Sequence, residues 1–384
     1  MKSKTRWMMA LAVFAGVLVN VPQVSRAASS KEAEEAAAMM KYYEEEPRAA
    51  EAARAKDPAW KPACVEVGLI QIGDAKKPGA LKNFCLNTEG NILACFVPNG
   101  AAKSSGAKSG AAIRVYSPKG DLLKSLPLEI RPAAVCVAKD GAIFAAGDGR
   151  VLKLDATGKV LASAASPVAD APVTVGKEVE EMLKQSGRQS ESSLKAQMER
   201  MKVSLEQRRA EVTGLAVTEQ DVFMAVPSPN DFTYRVYRFD HALGNPKLVV
   251  ENLRGCCGQM DIQARDQKLW IPHNARHLVE VHDRDGKELA KFGKAGRVKA
   301  SDFGGCCEPK NIRVLPNGEI LAAESGPPTC IKRFSASGKF LGVVASSKTK
   351  GDCVRVTVEA SPDGKRFYLL DTSRDAIRIY GAKG

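Results

Sequence analysis

From about residue 64 onward, apolar and polar positions alternate with a period of two, in short bursts. Such bursts read as β-strands with one buried face. One phrase recurs: an apolar strand, a polar turn and a second apolar strand. It occupies residues 81–96, 132–146, 212–226, 260–271, 311–323 and 354–370. A second hairpin phrase follows each copy, starting at Ile113, Val151, Val236, Leu278, Ile331 and Ile377. Gly120, Gly158, Gly244, Gly286 and Gly338 sit in its turns, where a tight hairpin needs positive φ. Six units of four short strands, about 40 to 50 residues apart, predict an all-β six-bladed β-propeller over residues 64–384.

The strand count also predicts how the ring closes. The sixth unit stops at residues 377–380 and lacks an outer strand. Residues 65–72 form an apolar strand with no unit of their own. They are expected to fill that vacancy, because an open sheet edge invites aggregation.

The repeat grammar resembles the NHL-repeat family of six-bladed propellers. The carrying residues run from Glu308 through Asn311 and Ile312 to Val314, then from Pro316, Asn317 and Gly318 to Glu324. Ile331 to Phe334 and Gly338 to Leu341 complete that unit. The resemblance covers about residues 64–384 and is clearest in blades four to six. It implies the propeller fold. That family hosts binding proteins and a few enzymes, so it does not assign a function.

Two segments depart from the strand pattern. Residues 28–63 read as a helical lead-in: Ser29 and Ser30 are cap candidates, and Glu32, Glu34 and Glu35 suit a first turn. Pro47 ends or restarts that helix, and Pro58 and Pro62 break it. Residues 176–212 read as a helical insertion, with Leu194, Met198, Met201 and Leu205 on one face. That stripe must bury against itself in a helical hairpin broken at Gly187, against the propeller, or against a helix of another chain.

Residues 1–27 have the grammar of an export signal: Lys2, Lys4 and Arg6, then an apolar stretch, then Ser25 and Ala27 at a small-residue cleavage site. The apolar stretch is short for a membrane helix, so no integral span is expected after cleavage. Loss of Lys2, Lys4, Arg6 and Arg26 lowers the formal charge from +13 to +9. The remainder favours anionic partners. The expected location is periplasmic or extracellular, where disulfides persist.

The ten cysteines carry most of the candidate chemistry. In a four-stranded meander, the start of strand one, the end of strand two and the start of strand three share one rim, the upper rim. Cys256 and Cys257 precede strand one of blade four, Cys306 and Cys307 that of blade five, and Cys353 that of blade six. Cys330 lies in the upper loop of blade five. The ends of strand two add His273, Asn274, Arg276 and His277 in blade four, Glu324 and Ser325 in blade five, and Asp371 in blade six. These residues form the candidate ligand-binding face. The six upper-rim cysteines are candidates for disulfides between neighbouring blades, for a zinc or copper site, or for redox-active thiols. Cys85, Cys95 and Cys136 read as buried apolar thiols, and Cys64 as a possible pin for the closing strand.

Other chemistry is absent from the sequence. There is no CxxCH haem motif, no GxGxxG or P-loop in a strand-to-helix setting, and no GxSxG elbow. His241 and His282 lie beside lower turns and read as solvated. No nucleic-acid motif occurs, so nucleic acid is not an expected partner. Two functions remain. The first is an exported, non-catalytic binding or scaffold propeller whose upper face takes a protein, peptide or glycan, with no cofactor. The alternative is a metal-dependent hydrolase or lyase at the channel mouth, with His273, Glu324 and Asp371 as ligands or bases.

Overall fold

The computed structural model describes residues 46–101, 110–175, 181, 191–255, 258–347 and 353–383. The strands form six antiparallel four-stranded sheets. Five sheets are simple meanders, blades one to five. Their inner strands are Leu81–Leu86, Ala134–Val137, Gly214–Val217, Gln263–Arg265 and Asn311–Val314. The sixth sheet starts at Val358–Ala360 and runs through Phe367–Asp371 and Ala376–Ala382. It takes its outer strand, Cys64–Gln71, from the other end of the chain. The register pairs Cys64 with Ala382 and Ile70 with Ile377, so the ring closes as the strand count predicts. The six blades and the two helices described below agree with the expected fold class.

The hairpin turns are built alike. Ser117, Asp155, Asp240, Asp283 and Ser335 each begin one, and each side chain accepts a backbone N–H four residues on. Gly120, Gly158, Gly286 and Gly338 then take the positive φ. Gly286 has a second constraint, because a Cβ there would meet the Val249 carbonyl oxygen of blade three. Blade three differs from expectation. Its turn places positive φ on Leu243 and Asn245 instead of Gly244.

Blades are joined by apolar packing between sheets and by a polar belt along the inner strands. Phe144, Met224 and Phe239 are buried between blades two and three, and Ile70, Phe84 and Tyr368 between six and one. Each such ring or branched chain contributes roughly 1.5–3 kcal/mol on burial. In the belt, the Asn311 amide donates to Asp261 of blade four, and Asn311 Oδ1 accepts from Val358 N of blade six at 2.8 Å. Thr357 Oγ donates to Asn83 Oδ1 of blade one at 2.7 Å. These buried groups are satisfied across blade boundaries, which fixes each inner strand against the next.

Two α-helices are described. The cap candidates Ser29 and Ser30 lie outside the described residues. Helix α1 covers Glu46–Lys56 among the described residues and continues through Pro47, so that proline does not end it. It is docked on the propeller: Arg54 donates to the Arg297 carbonyl at 2.7 Å. Behind it, Trp60 Nε1 donates to Val298 O at 2.7 Å, and the Trp60 ring lies 4.7 Å from the Lys332 ammonium. Helix α2, Glu191–Arg208, is the insertion. Its Leu205 is buried, and Leu194, Met198 and Met201 are half-buried. Arg208 lies 5.2 and 5.3 Å from the Phe232 and Tyr234 rings, and Arg209 donates to Ala171 O. The C-terminal end of α2 therefore lies against blades two and three. No described helix is long and apolar enough to cross a membrane.

Candidate functional site

The entry loops of blades five and six bring three sulfurs together at the upper mouth of the channel. Cys306 Sγ is 3.1 Å from Cys307 Sγ and 2.8 Å from Cys353 Sγ; Cys307 and Cys353 are 4.0 Å apart. None of these separations is the roughly 2.05 Å of a disulfide. Cys306 is exposed, Cys353 half-buried and Cys307 buried. Lys310, fully buried, points its Nζ at Cys307 Sγ from 2.7 Å. An ammonium in that position favours the thiolate. Cys330 is not part of this group. It is buried beside Ala300 and Val343, and burial pushes its thiol far up. Cys256 and Cys257 lie outside the described residues. Cys85 and Cys95 are buried and Cys136 packs with the core, each with its thiol raised by burial, as expected for structural cysteines.

The other rim residues are mostly engaged within the fold. His273 is buried; its Nε2 accepts the Arg254 N–H at 2.8 Å, which places the proton on Nδ1 facing Glu280 at 2.8 Å. Glu280 also meets His282 Nε2 at 3.3 Å. Burial opposes charge on Glu280, but the two histidines outweigh it and hold its carboxyl below the usual range. His282 is therefore buried, not solvated as its place beside a turn suggested, and His241 Nε2 contacts Thr218 O. Asn274 donates to Gln259 O at 2.7 Å. Glu324 is ion-paired with buried Lys332 and accepts the Gly304 N–H. Ser325 donates twice to Glu308 Oε1, whose carboxyl burial pushes up to about 8. Asp371 pairs with Arg378 at 2.7 Å and accepts from Ser373. Arg276 is exposed, and half-buried His277 leaves Nδ1 without a hydrogen bond.

Three cations missed in the sequence converge on the same mouth from blades one, two and six. Lys82 begins blade one, Arg131 precedes blade two and Arg355 precedes blade six. Arg355 crosses to the Ala133 carbonyl at 3.0 Å and approaches that of Lys82. Arg131 is held by Asp148. A Cβ on Gly147 would meet the Arg131 carbonyl, so that glycine lets the Arg131 backbone approach. The Lys82 pKa is lowered, first by burial and then by Arg355 and Arg131, against the pull of Asp375. Lys310 could have been noticed: it stands one residue before Asn311, where Met260 and Val356 occupy the matching positions of blades four and six.

No family model and no curated protein matches the chain. Solved propellers do. A structural-genomics protein of unknown function from Bacteroides thetaiotaomicron aligns with a TM-score of 0.52 at 11% identity, over 82% of this chain and 76% of that one. A gluconolactonase from Xanthomonas campestris aligns with a TM-score of 0.50 at 10% identity, over 85% and 99%. A chain of the mitotic checkpoint complex aligns with a TM-score of 0.50 at 11% identity, over 86% and 94%. At such identities the likeness is one of fold.

Proposed function

We propose that this chain is an exported binding propeller whose upper channel mouth takes an anionic segment of a protein or peptide. The carrying observation is the convergence of Lys82, Arg131 and Arg355 from three blades. Asp148 already pairs with Arg131 and Asp375 acts on Lys82, so the unpaired repulsion is chiefly that of Arg355 on Lys82, which an anion placed between them would offset. The formal charge of +9 after loss of residues 1–27 would draw such a ligand in. Export rests on the basic, apolar and small-residue pattern of those residues. The hydrolase or lyase alternative finds no support in its three named residues, since His273, Glu324 and Asp371 are each held by partners within the fold. The enzyme in the gluconolactonase comparison shares the ring, which does not carry its activity here.

Fluorescence anisotropy with a labelled oligo-glutamate peptide tests this on the full chain. Binding should weaken with added salt, and the double variant Lys82→Ala, Arg355→Ala should lose at least about tenfold in affinity, the scale of one charge-assisted hydrogen bond. Equal affinity of variant and parent would refute the site. Selective binding of an uncharged glycan, insensitive to both changes, would replace the ligand class.

A further inference from the structure

We propose that Cys306, Cys307 and Cys353 form a three-thiolate site for the soft cation Cu(I). This does not depend on the anion-binding reading. The three ligand atoms come from the entry loops of two blades and all lie within 4.8 Å of one another. The set is sulfur only, and thiolate ligands select soft ions over calcium, magnesium or manganese. Structural zinc sites close with four protein ligands, whereas the group among the described residues offers three, the number a trigonal Cu(I) site uses.

The fold builds the site. Cys307 lies four residues before Asn311, and Cys353 four before Thr357. Asn311 and Thr357 are matching members of the polar belt, locked to blades six and one. The two loops therefore start from fixed, adjacent points. Three sulfurs about 2.3 Å from one central ion stand about 4 Å apart. Cys307 and Cys353 already have that separation, at 4.0 Å. Cys306 is the sulfur that must swing outward, and it is the exposed one.

Charge also fits. Three thiolates and one Cu(I) sum to −2, and such a charge at a partly buried place needs a counter-cation. Lys310, 0% exposed and 2.7 Å from Cys307 Sγ, supplies it. Binding is a plain exchange of protons for metal: each thiol that was protonated releases its proton as its sulfur bonds the ion, with no change of oxidation state. The competing outcome is a Cys306–Cys353 disulfide between the blades, which would leave Cys307 beside Lys310 without a metal.

The test uses the full-length protein, first as purified from its exported compartment and then reduced under anaerobic conditions. A non-reducing peptide map of the purified protein should find no Cys306–Cys353 bond. The reduced protein should take one equivalent of Cu(I) from bicinchoninate. Cys307→Ser and Cys353→Ser should each weaken that uptake at least tenfold. Cys306→Ser should do the same at an exposed position that tolerates substitution. Cys64→Ser, in the closing strand, should not change it. Thermal melts by circular dichroism identify any variant that fails to fold. The proposal is overturned if the peptide map finds the Cys306–Cys353 bond. Uptake unchanged in folded Cys306→Ser, or one equivalent of Zn(II) bound while Cu(I) is refused, would overturn it equally.

Discussion

Glu280 is shared by two histidines, and this decides what His273 can do. The carboxylate accepts from His273 Nδ1 and meets His282 Nε2, and all three groups are buried. Burial disfavours a charged His282, yet Glu280 and the Gly286 carbonyl outweigh it and raise its pKa above the ordinary 6.5. A raised histidine stabilises the fold fully below its unfolded value and loses that contribution as pH rises through its folded value. The depressed carboxyl of Glu280 contributes above the ordinary 4.5 and loses it as pH falls through its folded value. The network is therefore strongest between about 4.5 and 6.5. Urea unfolding should find Glu280→Gln less stable than the parent by about 2 kcal/mol at pH 6, the scale of a hydrogen bond to a charged group, with the gap narrowing towards pH 9. A gap that does not change with pH would remove the charge from this argument. His273 was legible as a rim residue because strand ends can be counted. Its bonding was not, because Arg254 belongs to the outer strand of the preceding blade. Glu280 and His282 are two residues apart on one strand face, which was the available signal.

At the scale of elements, closure was readable because a missing strand and a spare strand are both local patterns. The docking of the lead-in was not, since Trp60 finds Val298 and Lys332 across the surface of the folded ring. Deleting residues 28–60 should leave a cooperative transition at a lower temperature, because the Trp60 cover over buried Lys332 is lost. Deleting through Ile72 should abolish cooperative folding, because the sixth blade then loses its outer strand. Equal melting of both truncations at the parent temperature would contradict closure by Cys64–Gln71. Helix α2 is attached by one buried leucine and a half-buried stripe. Leu205→Ala should cost about 2–3 kcal/mol in chemical denaturation, at the low end for a buried leucine. Replacing residues 176–208 by a short Gly/Ser loop should preserve the ring, because blade three's inner strand begins only at Gly214. Loss of soluble protein from that replacement would make the helix part of the core.

At the scale of the whole molecule, the ring brings together what the chain separates. Lys82, Arg131 and Arg355 belong to phrases in which each reads as an ordinary polar residue. Only closure brings Arg355 of blade six round to blades one and two, so no local pattern announces the group. The sulfur cluster was partly legible, because Cys307 and Cys353 stand at the same count from their turns. The structure adds Lys310 beside Cys307 and moves Cys330 into the core. It also turns most of the polar rim inward, where it holds the mouth in shape. The direct measurement of the proposed binding face is hydrogen exchange by mass spectrometry on the full chain, with and without the saturating oligo-glutamate peptide. Added protection should fall on the upper loops around Gly79 to Asn83, Arg131 to Ala133 and Cys353 to Thr357. Protection at the lower turns around Gly90, Gly318 and Gly364, or on the outer strands alone, would contradict a binding site at the upper mouth.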